Sequence, residues 1–211
     1  MSMLNDMTMT DQVITRRKLI HAMKLATLLV FLSGIGFIAN GTYTILKAEL
    51  AQVLMHKAWM KGLYQGHAQA PWSWADTKVI GKIRYLEDEY FILSGESGRN
   101  LAFGPALMSA SAPLDKQGNS VIAGHRDTHF SALKHLKTGD IIELEYIQSD
   151  LAHSAKRQYE VLQTMVLEQD RMDVLNGSDH ALLTLITCYP FDSVLANPKN
   201  RYVIRAAAIY Q

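Results

Sequence analysis

ALLTLITCYP, residues 181–190, is the stretch on which the reading of this chain turns. Apolar and β-branched residues dominate it, it is too short for a typical buried helix, and it stops at a proline-bearing turn. That combination reads as a buried β-strand over 181–188. The strand ends on Cys188, the single cysteine of the chain. One cysteine forms no intrachain disulfide, so in an exported domain it is either an inert apolar filler or a reactive thiol. A strand end beside a turning loop gives a nucleophile rigid backbone behind it and open space in front.

Working outward, the same texture recurs from about residue 76 to the end. Strands are expected near 79–85, 89–94, 119–125, 140–147, 158–168, 181–188 and 201–210. Gly95/Gly98, Gly118-Asn119, Gly139-Asp140 and Asn176-Gly177 supply turn chemistry between them. A short helix fits 128–137, with Asp127 or Thr128 as N-cap and Gly139 as its stop. Many short strands with few helices predict a mainly β domain closed, or nearly closed, into a barrel.

The N-terminal part is different. Residues 1–15 are polar, Met/Thr-rich and without periodicity, and are expected to be irregular. After Arg16, Arg17, Lys18 and Lys24, no charged residue occurs from Leu25 to Leu46. As a helix, that run is roughly 33 Å long against a bilayer core of about 30 Å. It outlasts the apolar core of a signal peptide, which favours an uncleaved anchor over a cleaved leader. Basic residues gather before it, so the N-terminus is expected in the cytoplasm and the remainder outside. Leu50, Val53, Leu54 and Trp59 then fall at helical spacing within 48–64, a linker helix or one packed on the domain. Pro71, Trp72 and Trp74 suggest an extended strap whose indoles lie on the domain in preference to the membrane interface. The expected division is a cytoplasmic segment 1–24, an anchor 25–46, a juxtamembrane helix and linker 47–75, and a domain 76–211.

Lys+Arg is 21 against Asp+Glu 20, and no long basic tract occurs, which removes nucleic acid as a partner class. Of the histidines, His125 alone closes an apolar run, with Gly124 before it and Arg126 and Asp127 after it. His21, His56, His67, His153 and His180 have no such context and are expected to be solvated. His125 and His129 share a spacing that can hold a metal on one helix face, but Arg126 stands where a zinc peptidase needs its glutamate. Nothing in the sequence asks for a metal or another cofactor. Asp127 and His129 are expected to be a helix cap and a surface residue. Near the C-terminus, Arg201 and Arg205 lie on one strand face about 13 Å apart, so only one of them can serve Cys188.

With these residues in view, the chain resembles the sortases. TLITC at 184–188, the Gly124-His125 pair upstream and Arg201 opening the last strand carry the resemblance, in the order His, Cys, Arg. The strings LAFGPALM, NSVIAGHRDTHF and PWSWAD are similar to the proteobacterial branch called class GN. The resemblance implies a closed eight-stranded β-barrel with short helices behind one N-terminal transmembrane helix. It implies Cys188 as nucleophile, His125 as acid/base partner, Arg201 as cationic helper and Thr187 as a substrate-binding or supporting residue. It further implies cleavage of an LPxTG-like C-terminal sorting signal and transfer of the thioester to an amine acceptor, at the outer face of a bacterial inner membrane. Arg201 is preferred to Arg205 because the apolar run follows it, as in the family. Two other readings stay open at this stage. One is another cysteine peptidase or L,D-transpeptidase, although the Cys-before-His order of papain and the S-H-G-C block are missing. The other is a membrane-tethered β-barrel binding module with an inert cysteine.

Overall fold

The computed structural model describes residues 2–148, 154–171, 173, 176–195 and 198–209. It forms two compact units, residues 1–49 and 50–211. The first unit is helical: α1 spans Ser2–Gln65, beginning in the first unit and ending in the second. The expectation of an irregular 1–15 is therefore corrected, since an apolar run that already forms a helix extends it through Met, Leu and Gln at little further cost. Its stretch from Arg16 is long and apolar enough to cross a membrane by length and composition. Phe37 and Ile38 are 80% and 72% exposed, an apolar surface that water alone does not favour.

In the second unit eight strands close a barrel. They are β1 (Val79–Tyr85), β2 (Asp88–Ser94), β3 (Ala106–Leu107), β4 (Asn119–Ala123), β5 (Ile141–Ile147), β6 (Ser154–Glu168), β7 (Leu182–Tyr189) and β8 (Asn200–Ala208). Their order around the barrel is β1-β2-β3-β4-β7-β8-β6-β5. β2–β3 and β4–β7 are parallel, and the other neighbours are antiparallel. The expected mainly β closed barrel is what the chain forms. β3 was not expected, because two residues carry no periodicity. Asn119 opens β4, where the strand near 119–125 is expected, and is buried. The helix expected over 128–137 is a 3-10 helix, Ser131–His135, and neither Asp127 nor Thr128 caps it. A four-residue helix α2, Gly98–Leu101, is capped by Ser97.

Alternation along the strands sets the two faces of the wall. Ile83, Ile92, Ile122, Leu144, Leu183, Leu185 and Ile204 point into the barrel and pack with Tyr85, Phe130 and Tyr159. A second apolar cluster lies between the end of α1 and β1, β2, β3 and β5. Met55, Ala58 and Trp59 are its helical side, whereas Leu50 and Val53 are more than half exposed. The buried stripe is thus one residue out of step with the one read from sequence, with Trp59 common to both. Gly62 allows the approach, because a Cβ there would meet Ile147 at 2.6 Å. A fully buried Trp removes roughly 150–250 Å² from water, on the order of 4–6 kcal/mol, so α1's end is firmly docked on the barrel. Of the two strap indoles, Trp72 packs edge-on to Phe103 at 5.1 Å, as expected, while Trp74 is 81% exposed.

Candidate functional site

The inward residues Leu183, Leu185 and Thr187 leave Thr184, Ile186 and Cys188 on the outer face of β7. The antiparallel β7–β8 register pairs Cys188 with Arg201 and Thr184 with Arg205. The parallel β4–β7 register pairs Ala123 with Ile186, and the ladder continues through a Gly124 N–H donated to the Ile186 carbonyl at 3.1 Å. His125 follows, two residues past the Ala123–Ile186 pair. The registers set Arg201 directly opposite Cys188, and His125 leaves the neighbouring strand at the same end of β7. Cys188 is half-buried and His125 exposed.

Each backbone is pinned. Thr187 is buried and faces inward, and its hydroxyl donates to the Gly124 carbonyl at 2.7 Å. Thr187 therefore ties β7 to the end of β4 from the face opposite Cys188. Gly124 is required by the core: a Cβ would sit 2.7 Å from the Phe130 ring. The Arg201 guanidinium donates to the carbonyls of Pro198 and Asn200 and to Gln169 Oε1. Beyond Cys188 the chain leaves the sheet through a cis Tyr189–Pro190 bond, with Tyr189, Phe191 and Tyr202 packed ring on ring at the mouth.

Sequence reasoning gave Arg126 no part beyond excluding zinc, yet it is 5% exposed and heavily bonded. Its Nη1 donates to the Pro190 carbonyl at 3.0 Å, and its Nη2 to Ser193 and Leu195 carbonyls at 2.6 and 2.9 Å. Its Nε donates to Asp127 at 3.0 Å. The residue after His125 thus holds the loop that follows Cys188. The nearest sequence signal was an Arg-Asp pair beside an apolar run, which does not name a partner far along the chain. Asn119 was missed too: it accepts from the Thr184 hydroxyl at 2.7 Å and donates to the Asn176 carbonyl at 3.2 Å, tying the β6–β7 segment to the floor of the face.

Asp127, expected to cap a helix, is an exposed partner of Arg126. His129, expected at the surface, is half-buried, edge-on to Tyr90 at 5.5 Å. Its carbonyl accepts from Tyr85 Oη. Desolvation, and then the nearby His125, hold the His129 pKa below its usual 6.5. The native state therefore favours the neutral ring: its stabilising contribution is complete above about pH 6.5 and is lost as pH falls towards the lowered native value. A Tm series at mildly acidic pH should fall more steeply for the wild type than for His129→Gln. Equal slopes would show that His129 is not the group responsible. His56, His67 and His180 are exposed, as expected, and His153 lies outside the described residues.

A Sortase domain family model matches residues 82–209. Sortase D of Bacillus subtilis (strain 168) is 30% identical over 126 residues, 59% of this chain and 60% of that protein. The chain thus spans about 60% of the length of this curated relative. Among solved structures, the Clostridium perfringens Sortase D5 transpeptidase matches with a TM-score of 0.53 at 26% identity, over 62% of this chain and 79% of that one. The pilus-related Sortase C of Group B Streptococcus gives 0.54 at 26% identity, over 62% and 67%. Sortase A from Corynebacterium diphtheriae gives 0.56 at 25% identity, over 65% and 64%. With the matched domain covering more than half of the sequence and the barrel closed in the same way, this chain belongs to the sortase family.

Proposed function

We propose that this protein is a membrane-anchored cysteine transpeptidase that cleaves an LPxTG-like C-terminal sorting signal and transfers the acyl part to an amine. The observation that carries the reading is the pairing of Cys188 with Arg201 across β7 and β8, with His125 two residues past the Ala123–Ile186 pair that ends the neighbouring β4. A buried filler cysteine needs neither an exposed histidine beside it nor a restrained arginine opposite.

In the proposed reaction, the Cys188 thiolate attacks the carbonyl carbon of the Thr–Gly peptide bond. The oxyanion of the tetrahedral adduct accepts hydrogen bonds from Arg201, a donor that keeps its charge. Collapse breaks the C–N bond, and His125 gives its proton to the departing amine. An incoming amine attacks the resulting thioester, loses its proton to His125, and forms a new amide as the C–S bond breaks. Cys188 is thereby regenerated without net hydrolysis. The restraint of Arg201 by two carbonyls supports a preorganised role, since a fixed donor loses little on meeting the transition state.

The first segment, 1–24, is read as cytoplasmic, 25–46 as the span, 47–75 as juxtamembrane, and 76–211 as the catalytic domain outside the inner membrane. The basic residues before the span support this orientation. The test uses the full-length protein in detergent with a peptide bearing an LPxTG-like core. Intact-mass measurement should find Cys188 carrying the acyl part, and added amines such as glycine peptides should discharge it as the amide. No adduct with any such peptide, or discharge only to the acid in the presence of amines, would count against transpeptidation.

A further inference from the structure

β6 outruns the strand beside it. Its pairing with β5 ends at Glu160–Ile141, and backbone bonds between Val161 and the Gly139–Asp140 turn close that side. β8 accompanies β6 as far as Glu168, so from Leu162 to Glu168 it is flanked on one side only among the described residues. The register fixes where the backbone groups point. Gln169 donates its N–H to the Lys199 carbonyl at 2.8 Å, and alternation then turns Met165 and Leu167 towards β8 and Thr164 and Val166 away from it. The N–H and C=O groups of Thr164 and Val166 therefore lie on the open edge. Such an edge is normally blunted by a lysine, a proline or an inward charge. LQTMVLE, 162–168, has none of these before Glu168, and its bulge lies at the near end, between Val161 and Gln163. Leu162 and Val166 are 49% and 45% exposed.

The segment is complementary to itself. In an antiparallel pair about a two-fold axis at Thr164, Thr164 faces its own copy and exchanges two backbone bonds with it. Leu162 of each copy then lies opposite Val166 of the other. Each strand runs on through Glu168 and Asp170 towards the 3-10 helix and turn that precede β5 in the other copy, where Lys134 and Lys137 are exposed. Apolar meets apolar and acid meets base in both halves of the pair. We propose that the open edge of β6 is where two copies of this protein join, strand to strand, around Thr164. The contact, over residues 162–166 with its charged flanks, is small beside stable interfaces, so the pair forms and separates readily.

Disulfide cross-linking across the axis reads such a short-lived pair. The full-length protein is used in detergent on a Cys188→Ala background, so that each introduced thiol is alone. Thr164→Cys should link to itself about tenfold faster than Arg99→Cys, an exposed position on α2, because its Cα atoms meet at the roughly 5.5 Å that a disulfide spans. Leu162→Cys and Val166→Cys should each link slowly alone and rapidly when mixed, since the two oppose one another. Adding Glu168→Lys to Thr164→Cys should slow linkage about tenfold, more at low salt than at high, and Lys137→Glu added in turn should restore it. Equal rates for Thr164→Cys and Arg99→Cys would mean chance encounter in the micelle and overturn the pairing. A mixture of Leu162→Cys and Val166→Cys that links no faster than either alone overturns it too, and leaves the edge to an extended segment of another protein. Linkage indifferent to Glu168→Lys, or not restored by Lys137→Glu, likewise rules out this arrangement of the two copies.

Discussion

Cys188→Ala should form no acyl adduct and no product, with turnover of an LPxTG-like peptide down by about 10⁴-fold or more. The size of the loss follows from what remains. Without sulfur at the end of β7, the face still offers His125 and Arg201, but neither can hold an acyl group through the exchange of amines. His125→Gln should cost about 10²- to 10⁴-fold, since proton transfer to the leaving amine then falls to water. Arg201→Lys should cost about 10²-fold, because an ammonium does not reproduce a planar fork held by two backbone carbonyls. The double variant His125→Gln/Arg201→Lys should lose less than the product of the two, as groups acting on one transition state do. Rapid alkylation of wild-type Cys188 by iodoacetamide, slowed in His125→Gln, gives a readout independent of substrate. A Cys188→Ala protein that still released amine from the peptide would displace the nucleophile to another residue. A thiol inert in the folded wild type would return Cys188 to the role of core filler.

The elements that could be read from sequence are those whose burial repeats along the chain. β1, β2, β4, β5, β6, β7 and β8 are legible because each carries an apolar run or an alternation of apolar residues. The closed barrel followed from their number and spacing. What escaped was set by partners distant in the chain. β3 is a two-residue link between β2 and β4, visible only once both neighbours are in place. The bond that the Thr184 hydroxyl donates to Asn119 crosses a parallel ladder and has no mark in the local sequence. The stripe of α1 that meets the barrel runs through Ala51, Met55 and Ala58, and small residues do not announce a buried face. Spacing alone does not separate Arg201 from Arg205, whereas the register sets Arg201 opposite Cys188 and Arg205 opposite Thr184. His129 is the same case: a polar residue in a loop reads as solvated, and only the Tyr90 and Tyr85 contacts show otherwise.

Arg126 carries the second large expectation. Its guanidinium is nearly fully buried, and three of its bonds end on carbonyls of the segment Pro190–Leu195, which joins Cys188 to the strand of Arg201. Those carbonyls belong to a loop and have no ladder to return to. Bonds to a charged donor are worth about 1.5–3 kcal/mol each, and because Pro190 and Leu195 are exposed their released carbonyls can turn to water. The losses overlap, so Arg126→Met should destabilise the protein by about 3 kcal/mol, near the usual cost of breaking a buried charged network. For a domain of this size that corresponds to a fall in Tm of about 10 °C. Stability is half of the expectation. The loop sets the exit of β7 and the entry of β8, so releasing it should disturb the approach of Arg201 to Cys188 even where the barrel stays folded. Measured well below the lowered Tm, Arg126→Met should lose kcat by about 10²-fold. KM for the peptide should change less than kcat, because β7 itself is untouched. Arg126→Lys should recover part of the Tm and little of kcat, since one ammonium cannot reach three divergent carbonyls and Asp127 together. Asp127→Asn should be mild in both respects, because that carboxylate is exposed and its pairing with Arg126 adds little to a guanidinium already held by carbonyls. A variant Arg126→Met that lost Tm but kept full kcat would make the residue a staple of the barrel alone. The loop after Cys188 would then need some other restraint to present Arg201.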